Sequence, residues 1–187
     1  MPPKAKFTKE EIVSAALELV REDGMSALTA RGLGAKLGSS ARPIFTVFKG
    51  MEEVSCEVIK AARLIYDEYV ERGLANENAF KGVGTQYILF AINEPKLFQL
   101  LFMTENNANI ENVLTYIEAN YSKILDSIKT SYSLDNDKAL RLYRHLWVYT
   151  HGIAVLCATK ACSFTPEQIS DMMTDVFVGV FKKIKAE

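Results

Sequence analysis

Four cationic side chains and no carboxylate lie in the segment between Gly24 and Met51. The four cations are Arg31, Lys36, Arg42 and Lys49. A guanidinium binds guanine or phosphate through two parallel N–H groups, and an ammonium attracts phosphate as a point charge. Residues 1–50 carry eight Lys/Arg against five Asp/Glu, whereas residues 51–187 carry 14 against 18. A basic segment on an acidic chain predicts a surface for a polyanion, and an ordinary solvated face is the alternative.

Helix start and stop signals place these cations on short helices. Thr8 is a predicted N-cap, and Glu11 three residues later completes a capping box. That first helix ends at Gly24, because glycine most easily takes the left-handed conformation found at helix ends. Thr29 begins a second, short helix, and Gly38 ends it. A third helix follows almost at once, so two short helices are separated only by a tight turn.

Two short helices around a glycine-containing turn predict a helix-turn-helix, whose second helix enters the major groove of DNA while the first crosses the backbone. Ser39 or Ser40 caps this second helix, and its first turn tolerates Pro43. Arg42 lies on the same turn, where it can read guanine or hold a phosphate, and Thr46 follows one turn later. The residues expected to contact DNA share this surface: Thr29, Ala30, Arg31, Ser40, Ala41, Arg42, Pro43, Phe45, Thr46 and Lys49.

Apolar residues at helical spacing continue to the end of the chain, and no convincing period-two strand pattern interrupts them. We therefore predict an all-α fold of about nine helices. The six helices predicted after Gly50 span about Met51–Arg72, Ala79–Ile92, Pro95–Met103, Ile110–Ser131, Asn136–Ala161 and the segment from the N-cap Thr165 onward.

Residues 8–54 resemble the DNA-binding domain of the tetracycline-repressor (TetR) family of bacterial regulators. The matching segments, in order and spacing, are EEIVSAALELVREDG, LTARGLGAKLG, the pattern S-x-x-x-[IL]-[FY]-x-x-F and the acidic helix start EEV. The remaining residues match only as an acidic, wholly helical domain of the expected size. The resemblance implies a homodimeric repressor that binds an inverted-repeat operator and is released by a small effector. It divides the chain into a DNA-binding domain, 1–50, and an effector-binding and dimerisation domain, 51–187.

Three positions depart from the family pattern. The family usually has Tyr where this chain has Phe45, often Tyr or His where Val47 stands, and usually Lys where Met51 stands. Each replacement removes a contact to the DNA backbone, although Lys49 compensates in part. We expect weaker phosphate binding and a shallower salt dependence, because the log–log slope is about −0.9 per neutralised phosphate. A helical small-molecule-binding protein with weakened or lost DNA binding is the alternative function.

The larger domain contains 16 of the 19 aromatic residues, enough to line a cavity as well as to fill a helical core. A mostly apolar cavity with a few phenol hydroxyls suits a flat, largely apolar effector. The same residues also suit the core of a helical bundle that binds no ligand. The candidate ligand-binding residues are Tyr66, Tyr69, Tyr87, Phe90, Phe98, Phe102, Tyr116 and Trp147.

The segment Leu146–Ala158 is apolar on nearly all sides, and the last helix is apolar on two faces. A helix buried all round in so small a domain usually has a partner, so we expect these two helices to form a four-helix bundle between two copies. A central helix inside a monomer is the alternative. The candidate dimer-interface residues are His151, Gly152, Val155, Met173, Val176, Phe177 and Val180.

The sequence offers no catalytic constellation. His145 and His151 are six residues apart and do not share a helix face, and the three cysteines lack metal-ligand spacing. There is no phosphate-binding loop, nucleophile elbow or paired-carboxylate site. We therefore predict no enzyme activity, no metal and no cofactor, and DNA, a small effector and a second copy as partners.

Cysteine usage and hydropathy predict where the protein works. The three cysteines include no Cys-x-x-Cys pair, which favours reduced thiols over a disulfide framework. The N-terminal residues contain no apolar segment of the secretory type, and no apolar stretch approaches the roughly 18 residues that span a bilayer. We expect a cytoplasmic protein that does not bind membranes.

Overall fold

The computed structural model describes residues 6–104 and 120–187, and within these ranges it contains helices and no strand. This confirms the predicted all-α fold. Two 3-10 helices, Met25–Ala27 and Ile44–Thr46, lie before and after the second α-helix. The eight α-helices of the described ranges are α1 (Lys9–Asp23), α2 (Ala30–Lys36), α3 (Met51–Leu74), α4 (Ala79–Asn93), α5 (Pro95–Phe102), α6 (Tyr121–Tyr132), α7 (Asn136–Ala158) and α8 (Pro166–Lys185).

Helix α1 begins with the predicted capping box. The Thr8 hydroxyl accepts a hydrogen bond from the Glu11 N–H at 3.2 Å, and the Glu11 carboxylate accepts one from the Thr8 N–H at 2.8 Å. The helix ends at Gly24, whose φ of +84° favours glycine and whose N–H donates to the Val20 carbonyl. Its buried face, which includes Ile12, Ala16 and Val20, follows the predicted helical spacing.

The predicted third α-helix is not formed, so that part of the prediction was wrong. Only Ile44–Thr46 is helical, as one 3-10 turn, with Pro43 in the N-cap position and no side-chain cap. The segment between Gly38 and Gly50 is too short to repay the cost of helix nucleation. Ser40, predicted as an N-cap, therefore caps no helix here.

The later helices follow the sequence prediction closely. The ends of α3, α4 and α5 lie within two residues of the predicted positions. Residues 110–119 of the predicted seventh helix lie outside the described residues, and α6 covers its remainder. Helix α8 begins with the predicted capping box, in which the Thr165 hydroxyl accepts from the Gln168 N–H and Gln168 accepts from the Thr165 N–H.

Helix α7 ends three residues before the predicted Ala161, because a Schellman motif closes it. The Ala161 N–H donates to the Leu156 carbonyl at 3.1 Å, and the Lys160 N–H donates to the Cys157 carbonyl at 3.0 Å. Lys160 takes the left-handed position, with φ of +56°. Glycine usually occupies this position because a Cβ atom raises its energy.

The chain forms two compact units. The first contains the described part of Met1–Ile65 together with Lys96–Thr104, and the second contains Tyr66–Pro95 and the described part of Glu105–Glu187. The buried apolar core of the first unit includes Ile12, Leu33, Ile44, Phe48, Val54, Val58, Leu97 and Phe98. The core of the second includes Tyr66, Phe90, Ile124, Ile128 and Leu142.

Residues 6–104 and 120–187 include no helix long and apolar enough to cross a bilayer. The same residues bring together no group of three or more His, Cys, Asp or Glu side chains that could hold a metal ion. Burial raises the pKa of the Cys157 thiol, and the nearby Cys162 adds to the rise. A raised pKa disfavours the thiolate, which is the reactive form of cysteine.

Candidate nucleic-acid interface and ligand cavity

Helix α2 packs directly against the turn that follows it, and Gly34 makes this approach possible. A Cβ atom built on Gly34 would lie 2.9 Å from the Ala41 nitrogen and 3.0 Å from the Ser40 carbonyl carbon, both backbone atoms. Gly38 supplies the reversal between them with φ of +61°. Beyond the turn, Ile44 is fully buried, and it holds the 3-10 helix against the core of the first unit.

Burying Ile44 and Phe48 leaves the other side of this segment in solvent. Arg42, Thr46 and Lys49 are exposed, and Phe45 is 47% exposed. The hydroxyl of Thr46 donates to the Pro43 carbonyl at 2.6 Å, which fixes its position on the surface. On α2, Arg31 is exposed, Ala30 is half-buried, and the Thr29 hydroxyl accepts from the Gly32 N–H at 3.0 Å as its N-cap.

The exposed cations of this surface differ from Lys36 in their partners. In the described part of the chain, no carboxylate pairs with Arg31, Arg42 or the Lys49 ammonium. Lys36 is bonded to Glu22 at 2.8 Å and lies 3.8 Å from Glu18. The hydrogen bond with Glu22 raises the pKa of Lys36. We call Thr29, Arg31, Arg42, Phe45, Thr46 and Lys49 the cationic surface, which leaves Lys36 out.

A cavity of about 580 Å³ lies within the second unit, bordered by α4, α7 and α8. This volume falls within the range of about 300–1,000 Å³ typical of small-molecule sites. Its wall is mostly apolar and aromatic. The floor includes Leu146, Trp147 and Thr150 of α7, while α4 and α8 form the two sides.

Two hydrogen-bonded pairs include polar residues of the cavity wall. The Tyr87 hydroxyl lies 2.9 Å from His151 Nδ1. The Asn78 side-chain N–H donates to the Tyr132 hydroxyl, also at 2.9 Å. Burial lowers the pKa of His151, so its imidazole is held neutral. Lys81 lies at the edge of the cavity and is exposed.

The structure places the predicted ligand-binding aromatics in three groups. Tyr87 and Trp147 line the cavity. Tyr66, Tyr69 and Phe90 pack as an aromatic cluster beside it, with the Tyr66 and Tyr87 ring centres 5.9 Å apart. The remaining predictions do not reach the cavity as described: Phe98 and Phe102 belong to the first unit, and Tyr116 lies outside the described residues.

The predicted dimer residues divide between the inside and the outside of the second unit. Three of them face its interior, since His151 bonds Tyr87 and both Met173 and Phe177 line the cavity. Gly152 is exposed, with open space where a Cβ would stand. Val155, Val176 and Val180 are half-buried.

An apolar outer surface on α7 and α8 includes these latter positions. Helical spacing places Val148, Gly152 and Leu156 on one stripe of α7, and Val148 is 54% exposed. Gly179 of α8, like Gly152, has open space where a Cβ would stand. We call this surface the outer face, formed by Val148, Gly152, Val155, Leu156, Val176, Gly179 and Val180.

Sequence reasoning missed several cavity residues. Asn78 reads as part of a turn, yet its side chain caps α4 and bonds Tyr132 at the cavity wall. No sequence pattern indicated that Lys81, Gly84 or Thr150 would line a cavity. Phe164 and Ile169, predicted only as a hydrophobic pair at the start of the last helix, both line the cavity.

Comparison with known proteins gives one informative similarity. The chain is 22% identical over 164 residues to a Bacillus subtilis (strain 168) protein named "Uncharacterized HTH-type transcriptional regulator YobS". The alignment covers 86% of this chain and 84% of that protein, so it includes both units. No protein-family model matches the chain.

Proposed function

We propose that this protein is a DNA-binding transcriptional regulator of the TetR type. It binds an inverted-repeat operator as a homodimer and leaves DNA when a small ligand occupies the cavity of the second unit. The observation that carries the proposal is the cationic surface, where exposed cations without carboxylate partners surround a turn held in place by Gly34. The similarity to a protein named as an HTH-type regulator supports the same function.

The side chains of the cationic surface fit duplex DNA in type and position. Arg31 and Arg42 carry rigid donor forks for guanine or phosphate, and Lys49 adds a point charge. Phe45 and Thr46 offer an aromatic face and a methyl group for sugar or thymine contacts. A single 3-10 turn presents fewer side chains than a full recognition helix, so contacts from Arg31 on α2 carry more of the binding.

The outer face supports the proposed homodimer. Its two glycines allow close approach of helix backbones. Burial of its exposed apolar side chains against a second copy lowers the free energy of the dimer relative to two monomers. Two copies related by a two-fold axis would place their cationic surfaces over successive major grooves, about 34–36 Å apart. Ligand binding would favour conformations whose spacing does not match those grooves, and α3 contributes residues to both units.

Selection of bound duplexes from a random DNA pool tests this function. Enrichment of an inverted repeat is the expected result, because a symmetric dimer reads two equal half-sites. Arg42→Ala should then cost about 1–3 kcal/mol at one base-pair position. The matched control is Lys36→Ala, which removes a nearby cation already paired with Glu22 and should change DNA affinity less.

One result would contradict the proposal, and a second would change the role given to Arg42. If folded, dimeric protein enriched no sequence at low salt, the alternative of a helical ligand-binding protein without DNA binding would stand. If Arg42→Ala weakened every duplex equally, Arg42 would contact phosphate and another residue would read the bases.

A further inference from the structure

We infer that the cavity of the second unit takes an amphiphilic anion, an alkyl chain ending in a carboxylate, with the carboxylate at Lys81. The role of this ligand as the effector rests on the proposed function, but its binding to the cavity does not. The inference depends on the direction of the cavity, its length, and the position of Lys81, the one charged side chain among the described residues that line it.

The cavity runs along α4 and α8, which are antiparallel to each other. Tyr132 bridges the first turn of α4 to the second half of α8, since its ring lies 6.5 Å from Phe80 and 5.0 Å from Phe177. Further along, Gly84 faces the Met173 side chain, with 3.7 Å between a built Cβ and the methyl carbon. The end of α4 at Ile92 therefore approaches the start of α8.

The two ends of the cavity differ in polarity. One end contains Asn78, Lys81, Tyr132 and, on α8, Thr174. There Asn78 and Tyr132 exchange hydrogen bonds, and Asn78 Oδ1 also accepts from the Lys81 N–H, which fixes this polar group. The opposite end is mostly apolar, with Leu89, Ile92, Phe164, Pro166 and Ile169, and Ser170 is the polar residue next to it. A ligand that satisfies both ends is polar at one terminus and apolar at the other.

Charge decides the sign of the polar terminus. Lys81 is the charged side chain among the residues that line the cavity. Within the described chain no carboxylate forms an ion pair with it, in contrast to Lys123, which bonds Glu71 at 2.9 Å. A carboxylate at this position gains a charge-assisted hydrogen bond, whereas an amine would be repelled.

Length decides the size of the apolar part. Lys81 and Ile92 are about 16 Å apart along α4 at 1.5 Å per residue, which a fully extended alkyl chain of about a dozen carbons also spans. Gly84 and Met173 line the middle of the cavity, where the Met173 methyl carbon lies 3.7 Å from a Cβ built on Gly84, so the alkyl chain passes beside this contact. Dodecanoate is therefore the matched probe.

Trp147 is the sole tryptophan of the chain and lies on the cavity floor, so its fluorescence reports occupancy. The experiment titrates the protein, without DNA, with monomeric dodecanoate, methyl dodecanoate and dodecylamine. Saturable change with dodecanoate is expected, with at least tenfold weaker binding of the ester and the amine. Lys81→Gln should weaken dodecanoate about tenfold and leave the ester unchanged.

Two further variants complete the design. Lys182→Gln removes an exposed lysine that does not line the cavity and should bind dodecanoate as the natural protein does. Gly84→Leu fills the cavity from α4 and should abolish the fluorescence change, while circular dichroism confirms that the helices remain. Operator binding by ligand-free protein, measured separately, distinguishes failure of this inference from failure of the proposed function.

Three results would overturn the inference. Equal affinity for the acid and its ester would show that the site does not read charge. Unchanged dodecanoate binding by Lys81→Gln would place the carboxylate elsewhere. Absence of any saturable change with dodecanoate would show that the cavity takes another class of ligand.

Discussion

The cationic surface and the cavity are built in opposite ways. The first depends on the absence of side chains, since Gly34 and Gly38 let the backbone fold back on α2 and push Arg42 and Phe45 into solvent. The second depends on large side chains from three helices that fail to fill the space between them. The comparison shows that the shape of the cationic surface depends on the backbone conformation at a few positions, whereas the shape of the cavity depends on many side chains together.

The largest effect is expected at the outer face, where we propose that a second copy binds. Gly152→Glu places a carboxylate at the centre of the outer face, once from each subunit, and an unpaired buried charge costs about 3–5 kcal/mol. We expect a dimer of the natural protein and a monomer of the variant by analytical ultracentrifugation. The control Thr130→Glu changes an exposed residue of α6 and should remain dimeric. A Gly152→Glu variant that still dimerised would exclude the outer face as the interface.

Gly34→Ala tests the backbone side of the comparison. The added methyl meets the backbone at Ser40 and Ala41, which cannot move away as a side chain can, so we expect a loss of about 1–3 kcal/mol in the free energy of unfolding. Chemical denaturation measures this loss. Gly50→Ala is the matched control, because a Cβ there meets nothing within 4 Å and should leave stability nearly unchanged. Equal stability of the two variants would mean that the turn does not depend on the close approach.

A smaller effect tests His151, the hydrogen-bond partner of the cavity residue Tyr87. Burial lowers the pKa of His151 in the folded protein below its ordinary value of about 6.5, so the unfolded chain binds more protons in the interval between the two values. The contribution of His151 to the free energy of unfolding is therefore fully present at pH values above about 6.5. It is lost as the pH falls from that value through the lower pKa of the folded protein. Denaturation between pH 7 and pH 5 should show a shallower pH dependence for His151→Gln than for the natural protein. Thr130→Gln, which changes an exposed residue without a titrating group, should keep the natural slope.

The smallest effect concerns the end of α7. Lys160 occupies a left-handed position, and Lys160→Gly should stabilise the protein by about 0.5–1 kcal/mol, because glycine takes this conformation without a Cβ penalty. Thermal unfolding measures the gain. Thr159→Gly, one residue earlier in right-handed backbone, should destabilise instead. A destabilised Lys160→Gly variant would show that the lysine side chain itself supports this turn.

Local chemistry made much of the fold predictable. Thr8, Thr29 and Thr165 begin the helices that their sequences indicate, because capping depends on residues only three positions apart. The failed prediction has the same local origin. The spacing of Ile44 and Phe48 suggests an α-helix. This spacing carries no information about segment length, and a segment so short forms too few backbone hydrogen bonds to stabilise an α-helix.

The candidate sites divide along the same line. The exposure of the cationic surface could be predicted because its residues are close in sequence, and the groove contacts that the family resemblance implies stay a prediction. The cavity could be predicted only as a class of site, since Tyr87 and His151 meet across 64 positions of the chain. Phe98 and Phe90 are both aromatic residues on the apolar faces of predicted helices, yet they belong to different units. The hydrophobic periodicity of the sequence does not distinguish them.

The capped C-terminal end of α7 and the capped N-terminal end of α8 have a practical consequence for where the chain can be cut or extended. The Ala161 N–H completes the Schellman motif at the end of α7, and a capping box at Thr165 begins α8, so no side chain of the exposed residues Cys162 and Ser163 caps either helix. Chain breaks and insertions are best tolerated at such exposed connections. A fluorescent domain inserted between Cys162 and Ser163, or new chain ends placed there, should leave both helices intact beside the cavity that Phe164 enters.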